Sequence, residues 1–257
     1  MRRLLRCAVA LGILAGVWPA DVPGAGPPED RGAGPGAIEG RVTLEGPAPA
    51  LAPVPVWKHR EFCGDERVPA ALRIGRGGAV ADALAVLEGE GLLRGAPAGR
   101  AILDNRDCDF APRVQVAPLG SEMEVLSSDP ILHTAHAYLD RAETLFHVAL
   151  PAFLSRRTVR LDRPGLVRIE CDVGHTWMRA FIWVTGTGFA AVSDEEGRFR
   201  LPGVPAGRYR LRVWHEVLGE RALPLEVGPG RRAPVAVRFG GSRPPRPGPA
   251  RPGGSTE

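Results

Sequence analysis

The sequence predicts an all-β protein, and three observations predict it. Glycine and proline are abundant, 33 and 26 among 257 residues, and they punctuate the chain at short intervals. Between them lie short runs with an apolar residue at every second position, the period of a half-buried strand. No segment sustains a helical period beyond one candidate turn at 136–144. The apolar fraction of 44% is enough for a core. Short strands at near-regular spacing, with turn residues between them, read as a β-sandwich.

Residues 1–20 read as a secretory signal. Arg2, Arg3 and Arg6 form a basic start, and an apolar run follows from Cys7 to Val17. That run is short for a spanning helix, although an uncleaved anchor is the alternative. Residues 21–36 are rich in Pro and Gly and read as a flexible linker. Residues 37–45 form the first strand. Residues 47–55 carry too much proline for a central strand. Residues 79–88 have the apolar density of a buried strand, and 89–99 form a Gly-rich turn region. Further strands are expected at 101–104, 113–117, 122–126, 145–150 and 158–161. Residues 243–257 hold no core-forming side chains and read as a disordered tail, set off from the last β unit at 241.

The net charge of +4 comes from the ends. Three Arg lie in the signal, and three Arg with one Glu lie in the tail. Subtracted from 33 basic and 29 acidic residues, they leave 27 and 28. A nearly neutral body of this kind does not point to nucleic acid. Without Cys7 the mature chain holds Cys63, Cys108 and Cys171. In an oxidising compartment an odd count leaves one thiol over. Cys63 and Cys108 lie in loop-like polar contexts, and Cys171 lies on an apolar strand face. The simplest assignment is a Cys63–Cys108 disulfide with Cys171 free.

Residues 165–184 carry the chemistry. Val167, Ile169 and Cys171 alternate with Arg168 and Glu170, so the sulfur falls on the apolar face of a strand. A tight loop follows at 172–176, and 180–184 read as a returning strand. His175 and Met178 therefore lie close to Cys171 at a hairpin end. Sulfur with imidazole selects copper or zinc over magnesium or calcium, and one Cys, two His and a weak Met form a blue-copper ligand set. The second His is available upstream. His133 and His136 are three apart, so an extended segment sends them to opposite faces. Ile131 shares the face of His133, which makes His133 the inward residue. A turn at 134–135 would instead bring both imidazoles to one ion.

The remaining histidines carry weaker signals. His59 lies in a polar loop and reads as exposed. His147 lies near the candidate site without a partner motif. His215 ends a strand and reads as structural, with support of a metal ligand or a separate metal role as the alternative.

An early His followed much later by a Cys–His–Met loop resembles the cupredoxin family. Plastocyanins have two residues between Cys and His and four between His and Met; amicyanins have two and two. This loop has three and two. The order Phe62-Cys63-Gly64, Asp107-Cys108-Asp109-Phe110, Asp129-Pro-Ile-Leu-His133, Cys171 to Met178 and Trp214-His215-Glu216 is similar to plastocyanin-like, methylamine-utilisation-type secreted proteins of bacteria. Many of those carry Asn after the early His, where this chain has Thr134. The resemblance implies a Greek-key sandwich over 37–186.

Beyond it, 193–213 place an acidic Gly turn, an alternating run at 198–201, Pro205-Ala-Gly207 and a second alternating run at 208–213. This pattern resembles a hairpin of the transthyretin-like regulatory module of carboxypeptidases. The resemblance implies a smaller β unit over 187–240, with its first strand supplied by 40–42.

The leading functional expectation is a periplasmic or secreted copper protein that carries single electrons. Its ligands would be His133, Cys171, His175 and Met178, and its partner another redox protein. No membrane span is expected in the mature chain. No nucleophile, zinc-protease or phosphate-loop motif points to an enzyme. The alternatives are a non-redox cell-surface or carbohydrate-binding β-module and a copper storage or delivery protein.

Overall fold

The computed structural model describes residues 34–92, 99–139 and 143–240. The expected signal, the linker up to residue 33, part of the Gly-rich turn region and the tail lie outside the described residues. The chain opens with β1 (Gly36–Glu45), β2 (Val54–Pro55), the one-turn helix α1 (Arg60–Cys63), β3 (Glu66–Arg67) and β4 (Leu84–Glu88). Next come β5 (Arg100–Arg106), β6 (Asp109–Ala111), β7 (Val114–Pro118), β8 (Ser121–Ser127) and β9 (His133–Leu139). They are followed by β10 (Glu143–Leu150), β11 (Arg156–Leu161), β12 (Gly165–Glu170) and β13 (Arg179–Thr185). The last are β14 (Ala190–Val192), β15 (Arg198–Val204), β16 (Gly207–His215), β17 (Gly219–Val227) and β18 (Arg232–Gly240).

The protein is all-β, as its sequence predicts, and its sheets pair into two sandwiches. In one, the five-stranded sheet β10-β9-β12-β13-β7 faces the four-stranded sheet β11-β8-β5-β6. Leu103, Met123 and Val125 on one side meet Ala137, Ile169 and Ile182 on the other. In the second, β15-β1-β18 faces β14-β4-β16-β17 across Ile38, Val42, Ala85, Phe199, Leu211 and Phe239. Gly40 is required there, because a Cβ would overlap the Phe199 ring.

The outer faces of the two sandwiches meet. Leu84 and Val86 of β4 pack with Val114 of β7 and Phe181 of β13. Phe181 and Trp214 meet edge to face, with centroids 4.8 Å apart. The Arg113 guanidinium crosses this seam and donates to Glu216 at 2.8 Å. Arg113 is buried and Glu216 nearly so. Burial pushes the Glu216 carboxyl above its ordinary range, and Arg113 opposes the shift. A strand buried on both faces reads as a continuous apolar run. That is why Leu84-Ala-Val-Leu87 and Ala180-Phe-Ile-Trp-Val184 show no alternation.

Most expected strands lie within two residues of their observed ends; the one at 79–88 shortens to β4, preceded by a buried loop. The other differences concern pairing. Residues 136–144 contain no helical turn among the described residues, since β9 continues to Leu139 and pairs antiparallel with β10. The alternating runs around Pro205 do not form a hairpin. β15 pairs with β1, whereas β16 pairs with β17 and β4. The two runs face one another across a core, and the chain changes sheet between them. Tyr209 marks this corner by donating its hydroxyl to the Pro205 carbonyl at 2.9 Å, in the manner of a tyrosine corner.

The expected division at residue 186 also fails to follow the pairing. β1 lies between β15 and β18, and β4 between β14 and β16, so both belong with the C-terminal strands. The 100–185 sandwich is inserted between them. Strands β17 and β18 are not announced by the sequence because each contains a proline, Pro224 and Pro234. Both are edge strands, where a missing N–H is tolerated.

His215 is buried at the end of β16. Its Nδ1 accepts the Val217 and Leu218 amides at 3.2 and 3.4 Å. Burial lowers its pKa from 6.5 to about 4. The unfolded chain therefore takes up this proton first as pH falls. Stability from the neutral imidazole is complete above about pH 6.5 and is lost on the way down to about pH 4, by up to about 3 kcal/mol. His215→Asn preserves an acceptor and removes the titration. Thermal unfolding of metal-free protein between pH 7 and 4 should show a flatter pH dependence in this variant. Equal slopes would show that His215 does not carry the effect.

Candidate metal centre

Strand register brings the chemistry together. β9 and β12 pair antiparallel, with Glu170 opposite His136. The start of β9 therefore lies beside the end of β12, and His133 comes next to Cys171. The Cys171 sulfur lies 3.9 Å from His133 Nδ1 and 3.7 Å from His175 Nδ1, and the two nitrogens are 3.2 Å apart. His133, Cys171 and His175 are all buried. His136 points the other way, to Asp172. Met178 is buried in the same core as Cys171, and its amide closes the loop by donating to the His175 carbonyl at 3.0 Å. Gly174 turns this loop at φ +96, a value other residues rarely adopt.

The three donor atoms fit a metal ion. In a triangle with these sides, one point lies about 2.1 Å from every corner, inside the usual range of metal bonds to imidazole and thiolate. At 3.2 Å the two Nδ1 atoms have room for one proton between them, donated by one ring to the other; a cation in its place would take both lone pairs. Burial lowers the His133 pKa, with Asp129 opposing. Burial, then His133 and His59, lowers His175 to about 4. Both rings are therefore neutral at pH 7 and able to ligate. Burial pushes the Cys171 thiol up, with the Thr134 and Val173 amides opposing. A coordinating cation reverses that preference and removes the proton.

The surrounding groups hold the donors in place. His133 Nε2 lies 2.9 Å from Asp129 Oδ2. A proton on Nε2, donated to this carboxylate, leaves Nδ1 bare toward the site, the usual carboxylate–histidine–metal arrangement. Asp129 also accepts the amides of Asp107 at 2.8 Å and Cys108 at 2.9 Å. The Thr134 amide lies 3.5 Å from the Cys171 sulfur, and its hydroxyl accepts the Asp172 amide at 2.7 Å. Thr134 thus fixes both sides of the thiol.

The Cys63–Cys108 disulfide forms, and among the described residues Cys171 is the free thiol. Both bridged sulfurs are buried, so their polar sequence neighbours conceal their setting. Trp177 Nε1 donates to the Cys108 carbonyl at 2.7 Å. The bridge ties the 56–64 segment over the site. On this segment His59 lies edge-on to His175, with centroids 5.6 Å apart. His59 is only partly exposed, a correction to its reading as a solvent residue. Among the described residues His175 Nε2 is buried without a hydrogen-bond partner.

Sequence reasoning found the three donors but assigned no role to Asp129, Thr134 or Trp177. Asp129 carried a usable signal: a carboxylate four residues before a ligand-type His and next to a proline.

No sequence family matches the chain, and no curated protein matches it in sequence. Solved structures with local similarity include a purple cupredoxin from Nitrosopumilus maritimus, with 17% identity and TM-score 0.29, covering 33% of this chain and 99% of that one. A copper-containing nitrite reductase from Thermus scotoductus aligns with 19% identity and TM-score 0.30, covering 38% of this chain and 27% of that one. A methionine-to-alanine variant of amicyanin in its Cu(I) form aligns with 11% identity and TM-score 0.30, covering 39% and 98%. Likeness at this level does not identify a family for the chain.

Three substitutions test the assembly of the site. His133→Ala should abolish any thiolate-to-Cu(II) absorption band, and His136→Ala should retain it. Asp129→Asn should weaken metal affinity by about 10- to 100-fold, because the tautomer and ring orientation are no longer enforced. Competition with a chelator of known affinity measures this. An unchanged affinity would leave Asp129 a purely structural role.

Proposed function

We propose that the chain is a copper-binding, cupredoxin-type electron carrier that acts outside the cytoplasm. The observation that supports this most directly is the buried triangle of two Nδ1 atoms and one sulfur. His133, Cys171 and His175 are the ligands in this reading, and Met178 is a weak fourth. Bound copper supplies a one-electron couple, and this donor set is the one found in electron-transfer copper sites.

The protein's own residues keep that couple fast and selective. Asp129 fixes the His133 ring, and the Thr134 amide is placed to stabilise negative charge on the sulfur. Trp177 and the 56–64 segment exclude water. A framework held this firmly moves little between oxidation states. Its buried donors leave little room for a substrate, which favours electron transfer over catalysis. The disulfide fits an oxidising compartment, periplasmic or external. Among the described residues no helix is long and apolar enough to cross a membrane. The electron would pass to and from another redox protein.

Addition of Cu(II) to purified metal-free protein tests the proposal. An intense thiolate charge-transfer band is expected. Colourless, tight Cu(I) binding would replace electron transfer with storage or delivery. Absence of binding would leave a non-redox β-module. Met178→Leu should still bind copper with a shifted reduction potential, measurable by voltammetry. Complete loss of copper would make Met178 an essential ligand or a residue on which the loop depends.

A further inference from the structure

A second set of ligand-type side chains meets on the solvent side of the five-stranded sheet. His136 on β9 and His147 on the edge strand β10 are directly opposite in the antiparallel register. Opposed residues of this kind hold their Cβ atoms about 5 Å apart, close enough for two imidazoles to reach one ion. The rings stack with centroids 4.2 Å apart and 13° between their planes. Asp172 reaches both from the loop after β12. Its Oδ2 lies 2.7 Å from His136 Nδ1 and 3.3 Å from His147 Nε2. One ligand atom from each residue can be chosen so that all three lie within 4.8 Å of one another. Ligands at about 2.1 Å from one ion lie about 3.0 Å apart at right angles and about 4.2 Å apart when opposite. A small side-chain adjustment brings the three into that range.

Hydrogen bonds also join this cluster, and His136 Nε2 lies 3.1 Å from the Thr144 hydroxyl, but Nδ1 is contested. The Tyr138 hydroxyl and Asp172 Oδ2 both lie 2.7 Å from His136 Nδ1, which carries at most one proton. If that proton goes to Asp172, the Tyr138 hydroxyl can meet it only as a second acceptor. If Nδ1 is bare, its lone pair faces a carboxylate. A cation between nitrogen and carboxylate removes the conflict, and Tyr138 can then bond elsewhere.

The residue types set the class of ion. Two imidazoles and one carboxylate, without a thiolate, suit a borderline divalent ion rather than Cu(I), and rather than the all-oxygen sites of magnesium or calcium. The side chains of His147 and Asp172 are 47% and 41% exposed, so water or an external ligand can complete the sphere. We propose that His136, His147 and Asp172 form a second, solvent-open metal site that takes Zn²⁺ or Cu²⁺. Its ligands are separate from those of the buried centre, yet the two sets adjoin in the chain, Asp172 following Cys171.

Calorimetric titration of the full metal-free chain with Zn²⁺ tests this. Two ions per chain are expected, one at each site. His147→Gln, at a half-exposed position, should leave one; a thermal melt of the metal-free variant confirms its fold. Cys171→Ala should remove the other ion and retain the outer one. In the Cys171→Ala background, His147→Gln or Asp172→Asn should weaken the remaining site by at least about tenfold. If Cys171→Ala does not fold, the fall from two ions to one in His147→Gln alone carries the test. The proposal is overturned if His147→Gln and Asp172→Asn leave both stoichiometry and affinity unchanged. Failure of the buried centre reads differently: Cys171→Ala would then change nothing, while His147→Gln would still remove an ion.

Discussion

The Asp129 carboxylate is the point on which the buried centre depends. It accepts three N–H groups, from Asp107, Cys108 and His133. A carboxylate this deeply buried is stable only when its oxygens are so satisfied, because an unpaired buried charge costs several kcal/mol. The same bonds carry its influence outward. One sets the imidazole of β9. The other two shape the corner at Asp107 and Cys108, where both residues take positive φ. From that corner the disulfide reaches Cys63 and draws 56–64 over His175. Ligand, corner and cover are therefore one connected unit.

The second constraint is the seam between the sandwiches. β13 returns from the ligand loop and is buried on both faces, by the core beneath the site and by the seam with β4. The loop thus ends on a strand that cannot shift without disturbing two packed layers. Arg113 and Glu216 add a buried ion pair across this boundary, where losing either partner would strand the other charge. The loop between β12 and β13 is short, and its outgoing strand is rigid. Together they give His175 and Met178 little positional freedom.

Local features were legible in the sequence. Period-two alternation located most strands because it reports one-sided burial. Where both faces are buried, as in β4 and β13, the pattern became a plain apolar run that still read as strand. The odd count of cysteines, together with the apolar position of Cys171, pointed to the observed disulfide. The cluster of Cys171, His175 and Met178 was visible because all three lie within eight residues. Asp129 entered only as part of a family pattern, without a role, since the two amides it accepts lie more than twenty residues away.

The sequence by itself determined the all-β class, most strand positions, the thiol left unpaired and the hairpin that presents it. These depend on neighbours within a few residues, where alternation, turn chemistry and cysteine count act directly. The resemblance already placed 40–42 of β1 with the C-terminal strands; the tertiary structure alone decided that β4 joins them and that β15 and β16 lie in different sheets. It also decided that His136, which alternation had turned away from Cys171, meets His147 and Asp172. Alternation states which face of a strand is apolar but not which strand lies beside it. That choice is made by burial and hydrogen bonding between segments up to about two hundred residues apart, as with β1 and β18.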